Sequence, residues 1–121
     1  MAKRSINTRD EQGRWDVGSG SMEFEHSVEE TLAKEIREEY CTEILDKKFL
    51  GYRDVFRENS GGRTHWISLD FLVRVEPSLV KNGEPDMIED LGWFTLGDLP
   101  KPLHSQLPIF FEKYRAQLET L

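Results

Sequence analysis

At 121 residues, with 37% apolar and 11% aromatic content, the chain holds the material for one globular domain with a buried core, residues 1–121, and nothing in it marks a second. A formal net charge of -7 excludes broad electrostatic binding to duplex DNA or to an anionic membrane, since both need clustered Lys and Arg. The single cysteine, Cys41, can form no internal disulfide, and neither a secretory signal nor an apolar run of spanning length is read, so a reducing cytoplasm is the expected location.

In chain order, Met1 to Ser5 is followed by a polar, Gly-ended loop from Ile6 to Gly13, and Trp15 to Val17 reads as a short strand entering a glycine turn. Ser27 with Glu30 three residues on makes a capping box, which fixes where the next helix begins. Val28, Leu32, Ile36 and Tyr40 form its apolar stripe. The same helix carries Glu35, Glu38 and Glu39 within little more than one turn, a spacing that lets carboxylates converge on a common point.

An acidic run on a helix is most simply a solvated face balanced by neighbouring cations. Here Glu39 falls within about 60° of Leu32 and Ile36 on the wheel, at the edge of the stripe, where a carboxylate costs free energy unless something pairs it. Lys34 and Arg37 point to the other side of the helix. A metal ion is the expected partner. Mg2+ fits best, because it takes oxygen ligands and keeps several waters, so a few glutamates and substrate phosphate oxygens complete its shell.

After the helix, Phe49 to Arg57 has strand composition and Glu58 to Gly62 is a turn cluster. His65 to Val75 follows as a long strand with Ile67, Leu69, Phe71, Val73 and Val75 on a strongly apolar face and Ser68, Asp70, Leu72 and Arg74 on a largely polar one; the two runs make a hairpin. Pro77 to Pro85 is a loop, and Met87 to Phe94 a further strand. Pro108 opens a last helix in which Leu107, Phe110, Phe111, Tyr114, Leu118 and Leu121 recur at helical spacing, a core stripe. Strands alternating with helices imply a mixed sheet packed between helices. His26, His65 and His104 lack metal-ligand spacing and read as surface or hydrogen-bonded residues.

The stretch Gly20 to Thr42, GSMEFEHSVEETLAKEIREEYCT, resembles the Nudix box, G-x5-E-x7-R-E-U-x-E-E-x-G-U with U a bulky aliphatic residue. Gly20, Glu35, Ile36, Glu38 and Glu39 match in register. His26 stands at the first Glu, Lys34 at the Arg, Cys41 at the closing Gly and Thr42 at the last aliphatic, while Val17, Gly18, Ser19 and Gly20 lie where the family commonly has Pro-Gly-Gly. The segment Trp93-Phe94-x-Leu96-x-x-Leu99-Pro100 is a second family-like pattern, in the right order.

The resemblance implies an α/β/α sandwich and hydrolysis of a phosphoanhydride in a nucleoside diphosphate linked to another moiety, or in a nucleoside triphosphate. Mg2+, or Mn2+ in its place, would be held by Glu35, Glu38 and Glu39, with the Ser19 carbonyl as a further ligand. The base is left open among Glu38, Glu84 and Glu89. Glu89, Asp90 and Trp93 lie where some relatives read a purine; against that, Glu89 and Asp90 can cap a loop while Trp93 fills the core, the reading weighed slightly ahead. Where the family ties loop to helix through a Glu–Arg pair, His26 and Lys34 leave no carboxylate facing the cation unless Glu23 or Glu25 swings across, so a loosened loop is expected. Resembling domains have a fuller first strand before Lys3, so the chain is expected to begin inside it and to cover the open edge as a homodimer or with the Ile6–Gly13 loop. Two other readings stay open: a Nudix-fold nucleotide-binding module with weak or no turnover, and an interaction domain using the acidic helix.

Overall fold

The computed structural model describes all 121 residues. Its elements are β1 (Ala2–Arg4), β2 (Trp15–Asp16), α1 (Val28–Tyr40), β3 (Asp46–Asn59), β4 (Gly62–Arg74), β5 (Ile88–Leu91), α2 (Leu107–Lys113) and α3 (Arg115–Glu119), with a 3-10 turn at Pro77–Leu79. No helix is long and apolar enough to cross a membrane.

The strands form two sheets where the sequence suggested one. β1 lies between β2 and β5, antiparallel to both. A parallel bridge from Trp15 to Leu103, with the Trp15 N–H donating to the Pro102 carbonyl at 2.8 Å, makes this group mixed. β1 is paired on both sides and is no exposed edge; the edges of this sheet are β2 and β5. β3 and β4 form a separate ribbon with a bulge between Phe49 and Gly51.

On that ribbon the apolar face is the exposed one. Ile67 is 64% exposed, whereas Asp70, on the face read as polar, is buried. The reason is the company Asp70 keeps. Its carboxylate accepts hydrogen bonds from the Arg53 guanidinium at 2.7 and 3.1 Å, the Ser68 hydroxyl at 2.8 Å and the Tyr114 hydroxyl at 2.7 Å. Burial alone would raise this carboxyl, but those donors outweigh it and hold it below the ordinary carboxylate range. α2 is thereby drawn to the Asp70 face, and Arg53 lies 5.3 Å from the centre of the Phe110 ring.

The predicted stripe of the last helix is the core itself. Phe110, Tyr114 and Leu118 are buried against Leu50, Leu72 and Phe111. The helix is interrupted at Tyr114, yet i to i-4 bonding continues through it, with Tyr114 N–H donating to Phe110 and Leu118 N–H to Tyr114. Leu121 falls outside the core at 82% exposure.

Truncating one partner of a buried charged network leaves the others unsatisfied. Tyr114→Phe is therefore expected to cost about 1–2 kcal/mol, and Asp70→Ala, which strands the Arg53 charge, about 3–5 kcal/mol; equal losses in urea unfolding would contradict the assigned order.

Candidate active site

α1 begins as the capping box requires: Glu30 N–H donates to the Ser27 hydroxyl at 3.0 Å and Ser27 N–H to the Glu30 carboxylate at 3.3 Å. At the other end, Cys41 closes the helix in the left-handed conformation, φ 56°, its N–H donating to the Arg37 carbonyl. The carbonyls left over at this end are met by the loop before β5. Lys81 N–H donates to Tyr40 and Gly83 N–H to Glu39, both at 3.0 Å.

Gly83 has to be glycine, since a Cβ there would lie 2.0 Å from the Glu38 carbonyl oxygen. This contact delivers the next residue, Glu84, toward the helix carboxylates. Asn82 stiffens the loop by accepting from Glu84 N–H at 3.0 Å and donating to the Ile88 carbonyl at 2.6 Å. From the opposite side the glycine turn closes down: a Cβ on Gly20 would meet the Glu35 side chain at 2.1–2.4 Å. That one contact explains why the first position of the box is a glycine.

Between the two loops lies an acidic group that Lys34 offsets only in part. Burial, then repulsion by Glu38 and Glu84, raises the Glu35 carboxyl. Burial, then Glu35 and Glu84, pushes Glu39 up to about 8 even though the Ser19 N–H hydrogen-bonds to it. Tyr40 beside them is raised as well, by burial first and Glu39 next. Lys34 serves the outer side of the helix, 3.5 Å from Glu38, and Arg37 pairs with Glu43 at 3.3 Å. The carboxylates do not form a finished coordination shell, as no three His, Cys, Asp or Glu groups stand in a ready-made coordinating arrangement. Their chemistry nonetheless suits a hard divalent cation, which would relieve the repulsion that raises Glu35 and Glu39.

The loosened loop expected at His26 and Lys34 is not what the structure has. The Glu23 carboxylate reaches across to the Lys34 amine and also lies 2.9 Å from Nδ1 of His26. The hydrogen bond from Lys34 holds the Glu23 carboxyl below its usual range, and the Lys34 amine is raised in return. One carboxylate thus ties loop and helix where the family pattern uses a Glu–Arg pair.

Of the remaining predicted residues, Glu89 pairs with Lys3 at 3.3 Å along the β1–β5 ladder, and the Asp90 carboxylate accepts from Leu91 N–H at 2.9 Å. Neither is among the groups that perturb Glu35 or Glu39. Trp93 does not fill the core: it is 66% exposed, and the buried indole of this region is Trp15, edge-on to Phe94 at 5.1 Å. Sequence reasoning gave Asp16 no role. Its carboxyl is raised, by burial first, and it acts on both Glu39 and Tyr40. Its place directly before the glycine turn was the available signal.

The α/β fold thus packs a capped helix of glutamates between a glycine turn and an acidic loop. Residues 1–114 match the NUDIX domain, and the chain belongs to that family. Its structure is similar to the crystal structure of MutT NUDIX hydrolase from Burkholderia pseudomallei, with a TM-score of 0.79 and 30% identity over 92% of this chain and 83% of that one. The protein is a Nudix-type pyrophosphohydrolase of nucleoside diphosphate derivatives.

Two measurements probe the site. Because Glu39 is raised in the folded state, the native protein holds one more proton than the unfolded chain between about pH 4.5 and 8; without metal its stability should be full below that window and fall as pH rises through it, by on the order of a few kcal/mol. Urea unfolding in chelator should show that slope, and Glu39→Gln should flatten it. Glu23→Gln should speed amide exchange across Gly20 to Glu25 while α1 stays protected; unchanged exchange would remove the bridging role of Glu23.

Proposed function

We propose that the protein is a Mg2+-dependent hydrolase, with Mn2+ as a substitute, of the phosphoanhydride in a nucleoside diphosphate linked to another moiety or in a nucleoside triphosphate. The observation that carries this reading is the half-buried set of Glu35, Glu39 and Glu84 beneath the glycine turn, where burial and mutual repulsion outweigh Lys34. Glu35, Glu38 and Glu39, with the Ser19 carbonyl, are the residues that would hold the ion. When bound, the ion neutralises the diphosphate and lowers the pKa of an attacking water.

The chain's own groups do the rest. Gly20 and Gly83 let two loops approach the helix closely, which fixes the carboxylates and limits water around them. A carboxylate accepts the proton of the water that attacks phosphorus as the bridging P–O bond breaks. Glu84 suits this role better than Glu89, because it is coupled to Glu35 and Glu39 while Glu89 is paired with Lys3; Glu38, held near Lys34, is the other candidate. Trp93 offers an exposed stacking face for a base, with the exposed carboxylates of Glu89 and Asp90 as acceptors for its amino groups. Gly20, His26 and Lys34 act structurally, with Glu23 as the link. The substrate is a small nucleotide, neither duplex nucleic acid nor a membrane, and the setting is the cytoplasm.

The nucleotide-binding module with little turnover stays as the second reading, favoured by the altered box at Ser19, His26, Lys34 and Cys41. A panel of nucleotides with Mg2+ and Mn2+ decides between them. Glu38→Gln and Glu39→Gln should each cut metal-dependent release of phosphate or pyrophosphate at least a hundredfold (roughly 3 kcal/mol in the barrier) while the domain stays folded. Equal turnover in wild type and both variants would refute the metal site, and no turnover of any substrate by wild type would favour the binding module.

A further inference from the structure

The ribbon of β3 and β4 is the longest element of the fold and the least covered. Cross-strand register sets Phe49 opposite Phe71, Tyr52 opposite Leu69, Asp54 opposite Ile67 and Phe56 opposite His65, all on one face. The other face carries Arg53 and Asp70 and is taken by α2. On the open face Phe49, Tyr52, Phe56, Ile67 and Leu69 are 41% to 69% exposed. With side chains of roughly 200 Å² each, they present about 600 Å² of apolar surface in one strip, at the upper limit of what a monomer leaves in water. A two-stranded ribbon has little stability of its own, so covering this face also stabilises the ribbon.

We propose that the strip is the interface of a homodimer, in which a second copy of the chain lays its own β3–β4 face against it about a twofold axis. Area is the first argument. Two such strips bury about 1,200 Å² together, the lower bound of specific, stable interfaces. Charge is the second: Asp54 and His65 on the strip are hydrogen-bonded to each other at 2.7 Å, so each copy satisfies its own polar pair. A strip of this kind can pack on a second copy about a twofold without burying an unpartnered charge. A basic partner would instead be drawn to the glutamates of α1. The third argument is the edge of the ribbon: the Lys113 amine donates to the Tyr52 carbonyl and lies 5.2 Å from the Tyr52 ring, so β3 is guarded against strand addition there and face packing remains.

The dimer is independent of the hydrolytic chemistry, and its test reads mass rather than turnover. Sedimentation of the whole chain at micromolar concentration should give twice the 14.2 kDa monomer mass. Ile67→Glu and Phe56→Ser should each weaken association at least tenfold with unchanged far-UV circular dichroism, while Leu121→Glu, a still more exposed apolar site off the strip, should leave the dimer intact. Should Ile67→Glu fail to fold, Phe56→Ser, at the solvent end of the ribbon, decides alone. A wild type that stays monomeric at high micromolar concentration, a dimer that survives the folded strip variants, or assembly without a defined mass each overturns the proposal.

Discussion

The two backbone hydrogen bonds from Lys81 and Gly83 to the last carbonyls of α1 are the joint on which the site depends. A helix end must find donors for its free carbonyls. Here they come from a loop rather than from water, and the loop continues straight into β5 and so into the β2–β1–β5 sheet. One local requirement of helix chemistry therefore registers α1 against the sheet and brings Glu84 over from a segment more than forty residues away. The strict need for glycine at position 83 follows from the same closeness.

The far side of the molecule is organised by a different kind of bond. Asp70 collects donors from its neighbour strand, its own strand and Tyr114 at the junction of α2 and α3, and by doing so decides which face of the ribbon is inside. Hydrophobic patterning loses to a charged network at this point. A buried carboxylate with four hydrogen bonds is satisfied, and the apolar side chains on the reverse face are left for water or for a second chain.

How much of this was legible in the sequence varies with the range of the interaction. The capping box, the start of α1, the hairpin and the core stripe Leu107, Phe110, Tyr114 and Leu118 depend on neighbours within a turn or a strand, and periodicity reads them. The burial of Asp70 depends on Tyr114, forty-four residues on, beyond the reach of alternation. At the site, the Glu35, Glu38 and Glu39 spacing was readable on one helix. The approach of Glu84 and Asp16 was not, because it depends on close loop packing. The exposure of Trp93 was equally hidden, since composition alone cannot say which of two neighbouring aromatic side chains, Trp93 or Phe94, turns toward Trp15.

Cys41 sits in a left-handed backbone conformation that costs a residue with a Cβ on the order of 1 kcal/mol more than glycine. Its sulfur is also close to the space a Cβ on Gly83 would need, at 3.1 Å. The left-handed residue therefore sits at the seam between helix and loop. Were the loop to part from the helix at this seam, Glu84 would leave the other carboxylates while the core around Tyr114 stayed packed, so that activity would be lost ahead of the fold.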